Sequence, residues 1–280
     1  AAKLFDLVVS ASAIYGGSWM EGAGAVYAEN EVLAWLAKEA GLPGTAGGVF
    51  VQGGTLGNLS ALVAARHRAA QALKAQGKPK PDSWKFICSA EAHSSLKAAA
   101  AVMDVEIIKA EVGDDGRLRG PAVQAALDAA GDGVFAIVAT GGTTNFGIVD
   151  RLDEIGAIAN ANNIWFHVDG AYGLAGILAD VSKPLFDGLG RADSFIVDPH
   201  KWLFAPFDAC ALIYRDPENG RNAHTQHGEY LETLTESGDW NPSDYAYQLT
   251  RRPSGLPFWF TLLVHGTDAM TEAVRASLTT

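Results

Sequence analysis

The chain has 280 residues, a span that suits one large α/β domain or two modest ones, and 48% apolar against 19% charged residues allow a sizeable core and argue against disorder. Lys and Arg number 21 and Asp and Glu 32, a net charge of -11 with no basic cluster, which disfavours a nucleic-acid partner. No apolar run reaches the roughly 18 residues of a membrane span, and the opening Ala-Ala-Lys-Leu-Phe-Asp lacks the features of a signal peptide.

In chain order, strand-length apolar runs alternate with longer helical stretches. Val49–Val51 reads as a strand and Thr55–Gln76 as a long Ala-rich helix. Trp84–Cys88 reads as a strand, His93–Val102 as a helix and Val105–Lys109 as a strand. Gly120-Pro121 opens a helix, with proline suited to a first turn; Val134–Ala139 is a strand, Leu152–Asn162 a helix and Ile164–Val168 a strand. Ser194–Val197 and Ala209–Tyr214 complete the set. Strands apolar throughout, separated by helices, predict an α/β fold whose mostly parallel sheet is covered on both faces. Cys88 and Cys210 fall in such strands and read as buried free thiols of a reducing compartment. Asp216–Asp244 opens with Asp216-Pro217 and Asn219-Gly220 and stays polar, predicting a long mobile loop. A final helix is expected from Leu256.

Four segments fall near predicted strand tips, where open α/β sheets bind ligands. Gly53-Gly54-Thr55 joins a strand directly to a helix, so backbone N–H groups and the Thr55 hydroxyl could cradle a phosphate; an ordinary tight turn reads equally well. The spacing is neither GxGxxG nor a Walker loop, which disfavours a nicotinamide oxidoreductase. His93 reads as a helix-start residue or as a ring laid on a flat heteroaromatic ligand. Asp169 ends an apolar strand, where a buried anion needs a partner such as a protonated pyridine nitrogen; a helix cap or metal ligand is the alternative. Lys201, between an apolar strand and Trp202-Leu203-Phe204, is expected to be poorly solvated and nucleophilic, or else simply to lay its stem along apolar surface. Phosphate cradle, stacking histidine, ring-nitrogen carboxylate and Schiff-base lysine are together the contacts of pyridoxal phosphate. His224 and His227 form His-x-x-His, but solvated loop residues are expected there rather than a metal site.

From about Phe5 to about Gly266 the chain resembles the group II pyridoxal-phosphate-dependent amino-acid decarboxylases, a family that includes aromatic-amino-acid, glutamate and diaminobutyrate decarboxylases. The most specific motif is Asp198-Pro199-His200-Lys201-Trp202, with His167-Val168-Asp169-Gly170-Ala171-Tyr172 beside it. The resemblance implies the large domain of the aspartate aminotransferase fold (type I), with the small domain truncated or missing. It makes Lys201 the Schiff-base lysine, Asp169 the ring-nitrogen acid and His93 the stacking residue. Ala171 is placed near the ring face, Gly54 and Thr55 at the phosphate, and Thr144 (through Thr143-Thr144 and Asp150) and His200 beside the cofactor. Tyr230 becomes the proton donor of a catalytic loop. The implied organisation is an N-terminal segment (1–45) packed on the large domain and a dimer partner, a cofactor-binding domain (46–215), a mobile catalytic loop (216–244) and the start of a connection to the small domain (245–280). Tyr15 and Gly17 resemble positions projected into a neighbouring subunit's pocket. The implied protein is a cytoplasmic homodimer that decarboxylates an L-amino acid to its amine and CO₂. Another pyridoxal-phosphate reaction (aminotransfer, aldehyde synthesis, desulfuration) or an inactive fragment stands as the alternative. No metal, membrane or nucleic acid is implied.

Overall fold

The computed structural model describes residues 1–226 and 238–279. Helices α1 (Ala2–Ser12) and α2 (Trp19–Glu39) precede β1 (Gly47–Val51), α3 (Gly54–Ala75), β2 (Lys85–Ser89), α4 (Ser94–Met103), β3 (Glu106–Ala110), α5 (Gly120–Ala130) and β4 (Val134–Thr140). Then follow α6 (Leu152–Ala161), β5 (Trp165–Asp169), β6 (Ser194–Val197), the single turn α7 (Pro199–Trp202), β7 (Cys210–Tyr214), α8 (Glu218–His224) and α9 (Leu256–Ser277).

The strands form one seven-stranded sheet in the order β1-β7-β6-β5-β4-β2-β3. Pairings from β6 across to β3 are parallel, while β7 runs antiparallel to both of its neighbours. β1 therefore points the same way as β6, because both oppose β7. The mostly parallel sheet expected from the sequence is present, with one reversed strand.

Alternation along each strand sends side chains into two apolar layers. Phe50, Ile87, Ile137, Phe166, Val168, Phe195 and Ile213 face α2, α5, α6 and α9. Val51, Phe86, Val138, Trp165, Ile196 and Leu212 face α3 and α4 on the other side. Both cysteines are free and buried, as expected. Residues 1–45, to which the sequence assigned no elements, hold two helices; α1 lies on α9, where Phe5 stacks on Phe260 with centroids 4.1 Å apart. Among the described residues no helix is long and apolar enough to cross a membrane.

The polar stretch 216–244 departs from the expected loop over much of its described length. Pro217 precedes α8, the Asp216 carboxylate accepts from the Glu218 N–H, and α8 packs against α3. Gly220, read as a turn residue, is a packing residue: a Cβ there would approach the Tyr214 ring to 2.8 Å. At the far end, Asn241 and Asp244 are buried around the short helix Pro242–Asp244. Residues 227–237, including His227 and Tyr230, lie outside the described residues.

His224 corrects a second expectation. It is buried at the C-terminal end of α8 and its Nε2 donates to the Ser60 carbonyl at 3.0 Å, so it is not a solvated loop residue. Burial pushes its pKa down from 6.5 to about 4. The unfolded chain takes up a proton there as pH falls below its ordinary value, whereas the folded chain resists until about pH 4. Stability is therefore fully present above that window and is lost as pH falls through it. His224→Gln is expected to remove roughly 1.4 kcal/mol per pH unit from the acid-side slope of stability, read from urea midpoints across a pH series; an unchanged slope would contradict the assignment.

Candidate active site

With β1 pointing along β6, the C-terminal ends of β1, β2, β4, β5 and β6 share one edge of the sheet. The connections leaving that edge surround a cavity of about 240 Å³. Gly54, Thr55, His93, Thr144, Asp169, Ala171, His200 and Lys201, the site residues expected from sequence that fall within the described part of the chain, all line it.

Each is positioned by local structure. Gly53, at φ 88, turns the chain from β1 into α3 with no side chain capping the helix start, so the first N–H groups of α3 face the cavity beside Thr55. A Cβ on Gly54 would lie 3.2 Å from the Ala171 Cβ and 3.4 Å from Asp198 Oδ2, so larger side chains would fill the cradle. His93 is the N-cap of α4, its Nδ1 accepting from the Ser95 N–H at 3.2 Å, and it also lines the cavity: the helix-start and ligand-facing readings coexist. Thr144 sits on the turn after β4. That turn is tied down by buried Asp150, which accepts from the Thr140 N–H at 2.7 Å and the Leu118 N–H at 2.8 Å. Desolvation pushes the Asp150 pKa up to about 6 against these donors.

Lys201 differs from its expected setting. Its side chain is 38% exposed on the cavity wall, and Nζ sits 3.0 Å from Asp198 Oδ2. Phe204 is exposed and Trp202 stacks on Tyr172, at 5.7 Å, so the neighbouring aromatics do not seal the lysine as the sequence suggested. His200 Nδ1 accepts from the Ala209 N–H at 2.9 Å. Its proton is thereby held on Nε2, which lies 3.4 Å from Asp198 Oδ2. Burial holds the His200 pKa below its ordinary value. Tyr15 and Gly17 are near the start of α2, with the Tyr15 hydroxyl donating to the Leu249 carbonyl at 3.1 Å.

Residue-by-residue reading of the sequence missed Asp198 and Asn58. Asp198 is buried, holds both Lys201 and His200 through Oδ2, and has no hydrogen-bond partner for Oδ1 among the described residues. Asn58, on the second turn of α3, donates to Asp169 Oδ2 at 2.8 Å and to Ser95 Oγ at 2.9 Å. Asp169 Oδ1 accepts from the Ala171 N–H at 3.2 Å. The signal for Asp198 was a carboxylate in the same four-residue stretch as Lys201. For Asn58 the only cue was a polar residue on the apolar face of an Ala-rich helix.

Known proteins are similar to the chain over nearly its whole length. The family model described as the pyridoxal-dependent decarboxylase conserved domain matches residues 4–280. The chain belongs to the pyridoxal-dependent decarboxylase family. It is 31% identical to an aromatic-L-amino-acid decarboxylase of Bacillus atrophaeus over 96% of this chain and 56% of the relative. To an L-2,4-diaminobutyrate decarboxylase of Rhizobium meliloti it is 32% identical over 98% of this chain and 55% of the relative. The crystal structure of Oryza sativa TDC with PLP and tryptamine superposes with a TM-score of 0.88 at 27% identity, covering 97% of this chain and 59% of that one. The chain thus spans little more than half the length of these relatives.

The donor set suits the family's cofactor, pyridoxal phosphate. A glycine cradle and uncapped helix start suit a phosphate, the Asp169 carboxylate a pyridinium, and the Lys201 amine an aldehyde. Among the described residues no group of three or more His, Cys, Asp or Glu is arranged to hold a metal ion. Cys210 lies behind this wall beside Asp198, and burial followed by that carboxylate drives its pKa well above the ordinary thiol value. Burial pushes Cys88 up to about 12. Both thiols are expected to resist a disulfide reagent at pH 8 in the folded chain and to react once guanidinium unfolds it; rapid labelling of either in the folded state would contradict this burial.

Proposed function

We propose that the chain is the cofactor-binding core of a pyridoxal-phosphate-dependent L-amino-acid decarboxylase that releases CO₂ and the corresponding amine. The observation that carries this reading is the convergence of the Lys201 amine, the Asp169 carboxylate and the open start of α3 on one cavity at the sheet edge.

Lys201 is the side chain that would hold the cofactor, as a Schiff base, and yield it to the substrate's amine. Its ion pair with Asp198, at 3.0 Å, keeps Nζ on the cavity wall within the reach of an exchanging amine. The N–H groups at Gly54 and Thr55, the Thr55 hydroxyl and the His200 ring would bind the phosphate. His93 and Ala171 would pack against the cofactor ring and help hold it in place, and Thr144 would line the site beside it. When bound, the cofactor supplies an electron-accepting ring for the electron pair left as the carboxylate departs. Asp169 serves that chemistry by holding a proton on the ring nitrogen. Tyr230, outside the described residues, is proposed to return a proton to the carbon that loses CO₂.

The relatives act on aromatic and diamino acids by name, which supports an L-amino acid as the substrate class. In the whole protein, residues 1–45 are proposed to meet a second copy, residues 46–215 to form the cofactor domain, residues 216–244 to carry the catalytic segment, and residues 245–280 to lead into a small domain.

Borohydride reduction after incubation with pyridoxal phosphate is expected to leave the cofactor on the peptide containing Lys201, found by mass spectrometry. Lys201→Ala should lose both that adduct and amino-acid-dependent CO₂ release. An adduct distributed over other lysines, or none, would overturn the assignment. Aldehyde and ammonia appearing in place of amine would move the reaction to the aldehyde-forming alternative.

A further inference from the structure

The carboxylate of Asp169 is the visible end of a longer chain of hydrogen bonds whose direction the chemistry of the groups determines. Trp165 Nε1 can only donate, and it lies 2.9 Å from Ser194 Oγ. Ser194 Oγ is 2.8 Å from His167 Nδ1, and His167 Nε2 is 2.9 Å from Asn58 Oδ1. At the far side Asn58 Nδ2 meets Asp169 Oδ2 and Ser95 Oγ, and Ser95 Oγ is 2.9 Å from His93 Nδ1.

A carboxylate oxygen only accepts, so the Asn58 atom facing Asp169 is the NH₂ group, and Oδ1 must face His167. That orientation follows from Asp169 rather than from any choice between similar atoms. Both amide protons are used, one on Asp169 and one on Ser95. Oδ1 accepts, so the His167 proton is on Nε2. Burial holds the His167 pKa down near 4, so the ring is neutral and Nδ1 takes the Ser194 hydroxyl proton. Ser95, accepting from Asn58, sends its own proton to His93 Nδ1, which also accepts the Ser95 N–H. The His93 ring proton is thereby held on Nε2. Asn58, Ser95, His167 and Ser194 are all buried, so no water competes for these bonds.

We propose that Asn58 is a positioning residue: its amide, donating to Asp169 and Ser95 and accepting from His167, sets which acceptor atoms and which tautomer the chain presents to the cofactor ring. The hydrogen-bond chain stands on this protein's own side chains; only its consequence for the ring nitrogen rests on the function proposed above. With Asn58 in place, Asp169 faces the ring as an acceptor and the shared proton stays on the pyridine nitrogen. Asn58→Asp preserves shape but sets two carboxylates against each other, and the proton they would then share removes that requirement. Asn58→Leu preserves bulk and leaves Asp169, Ser95 and His167 without the amide.

Two measurements test this. In the chain alone, labelled with ¹⁵N-histidine, long-range ¹H–¹⁵N correlation is expected to show His167 and His93 as single Nε2–H tautomers. Both variants should turn His93 into a tautomer mixture. With pyridoxal phosphate carrying a ¹⁵N ring nitrogen, the chain should give a protonated signal, and Asn58→Asp a signal shifted towards the deprotonated position. Cofactor affinity should weaken about tenfold to a hundredfold in both variants, the factor for losing one hydrogen bond to a charged group.

An Nδ1–H tautomer at His167 in the unmutated chain overturns the proposal without any variant having to fold. So do variants whose His93 tautomer and ring-nitrogen signal match the unmutated chain. If the unmutated chain takes up no cofactor, the proposed function fails, while the tautomer measurements still decide the role of Asn58.

Discussion

A carboxylate buried at the end of β5 can accept hydrogen bonds and cannot donate one, and much of the site is arranged around that constraint. Asp169 is 5% exposed, so water cannot serve as its main partner. Its oxygens are met instead by the Ala171 N–H from the turn that follows and by the Asn58 amide from α3. The first donor comes with the strand-to-turn geometry. The second requires a helix from the other side of the chain to arrive at hydrogen-bond distance, and so ties the start of α3 to the tip of β5.

Asp198 follows β6, the neighbouring strand, and is buried as deeply. Two carboxylates on adjacent strand tips would destabilise the fold if both were left to neutral donors, and the structure treats them differently. Asp169 receives amide donors. Asp198 pairs with the Lys201 ammonium, and His200 Nε2 lies 3.4 Å from the same oxygen. The cationic side chain therefore stands over the sheet edge at β6, and the purely acceptor carboxylate stands at β5.

The apolar strands were legible because a parallel sheet buried on both faces leaves continuous runs such as Val134–Ala139, and the core helices because Ala-rich stretches fill the intervals between them. The reversal of β7 was not legible, since an apolar run of five residues carries no mark of direction. The helix α8 was misread for a physical reason. Asp216-Pro217 is a turn signal and a helix start alike, and Gly220 gives way to the Tyr214 ring rather than turning the chain. Lys201 was legible as a candidate for the cavity wall but not as an exposed side chain, because sequence gives the hydropathy of Trp202 and Phe204 and not the direction in which they point. Asn58 was illegible as a partner: it is 111 residues from Asp169, and only the folded sheet brings the two together.

What allows that meeting is the small-residue face of α3. A Cβ at Gly57 would lie 2.9 Å from the Ile196 Cγ2 and 3.0 Å from the Cys210 Sγ, so at Gly57 the helix backbone rests on the side chains of β6 and β7 with none of its own between. The next residue is Asn58, whose short side chain spans the remaining gap to β5. Had α3 stood off by the width of an alanine methyl, the amide would lie beyond hydrogen-bond reach of Asp169, and a buried acceptor would lack its donor at a penalty of about 1–3 kcal/mol. The glycines that open α3 and the glycine that seats it thus serve different ends of one arrangement. Gly53 turns the chain into α3 and Gly54 lets its first turn close on Ala171 and Asp198, while Gly57 lowers the helix until Asn58 reaches Asp169.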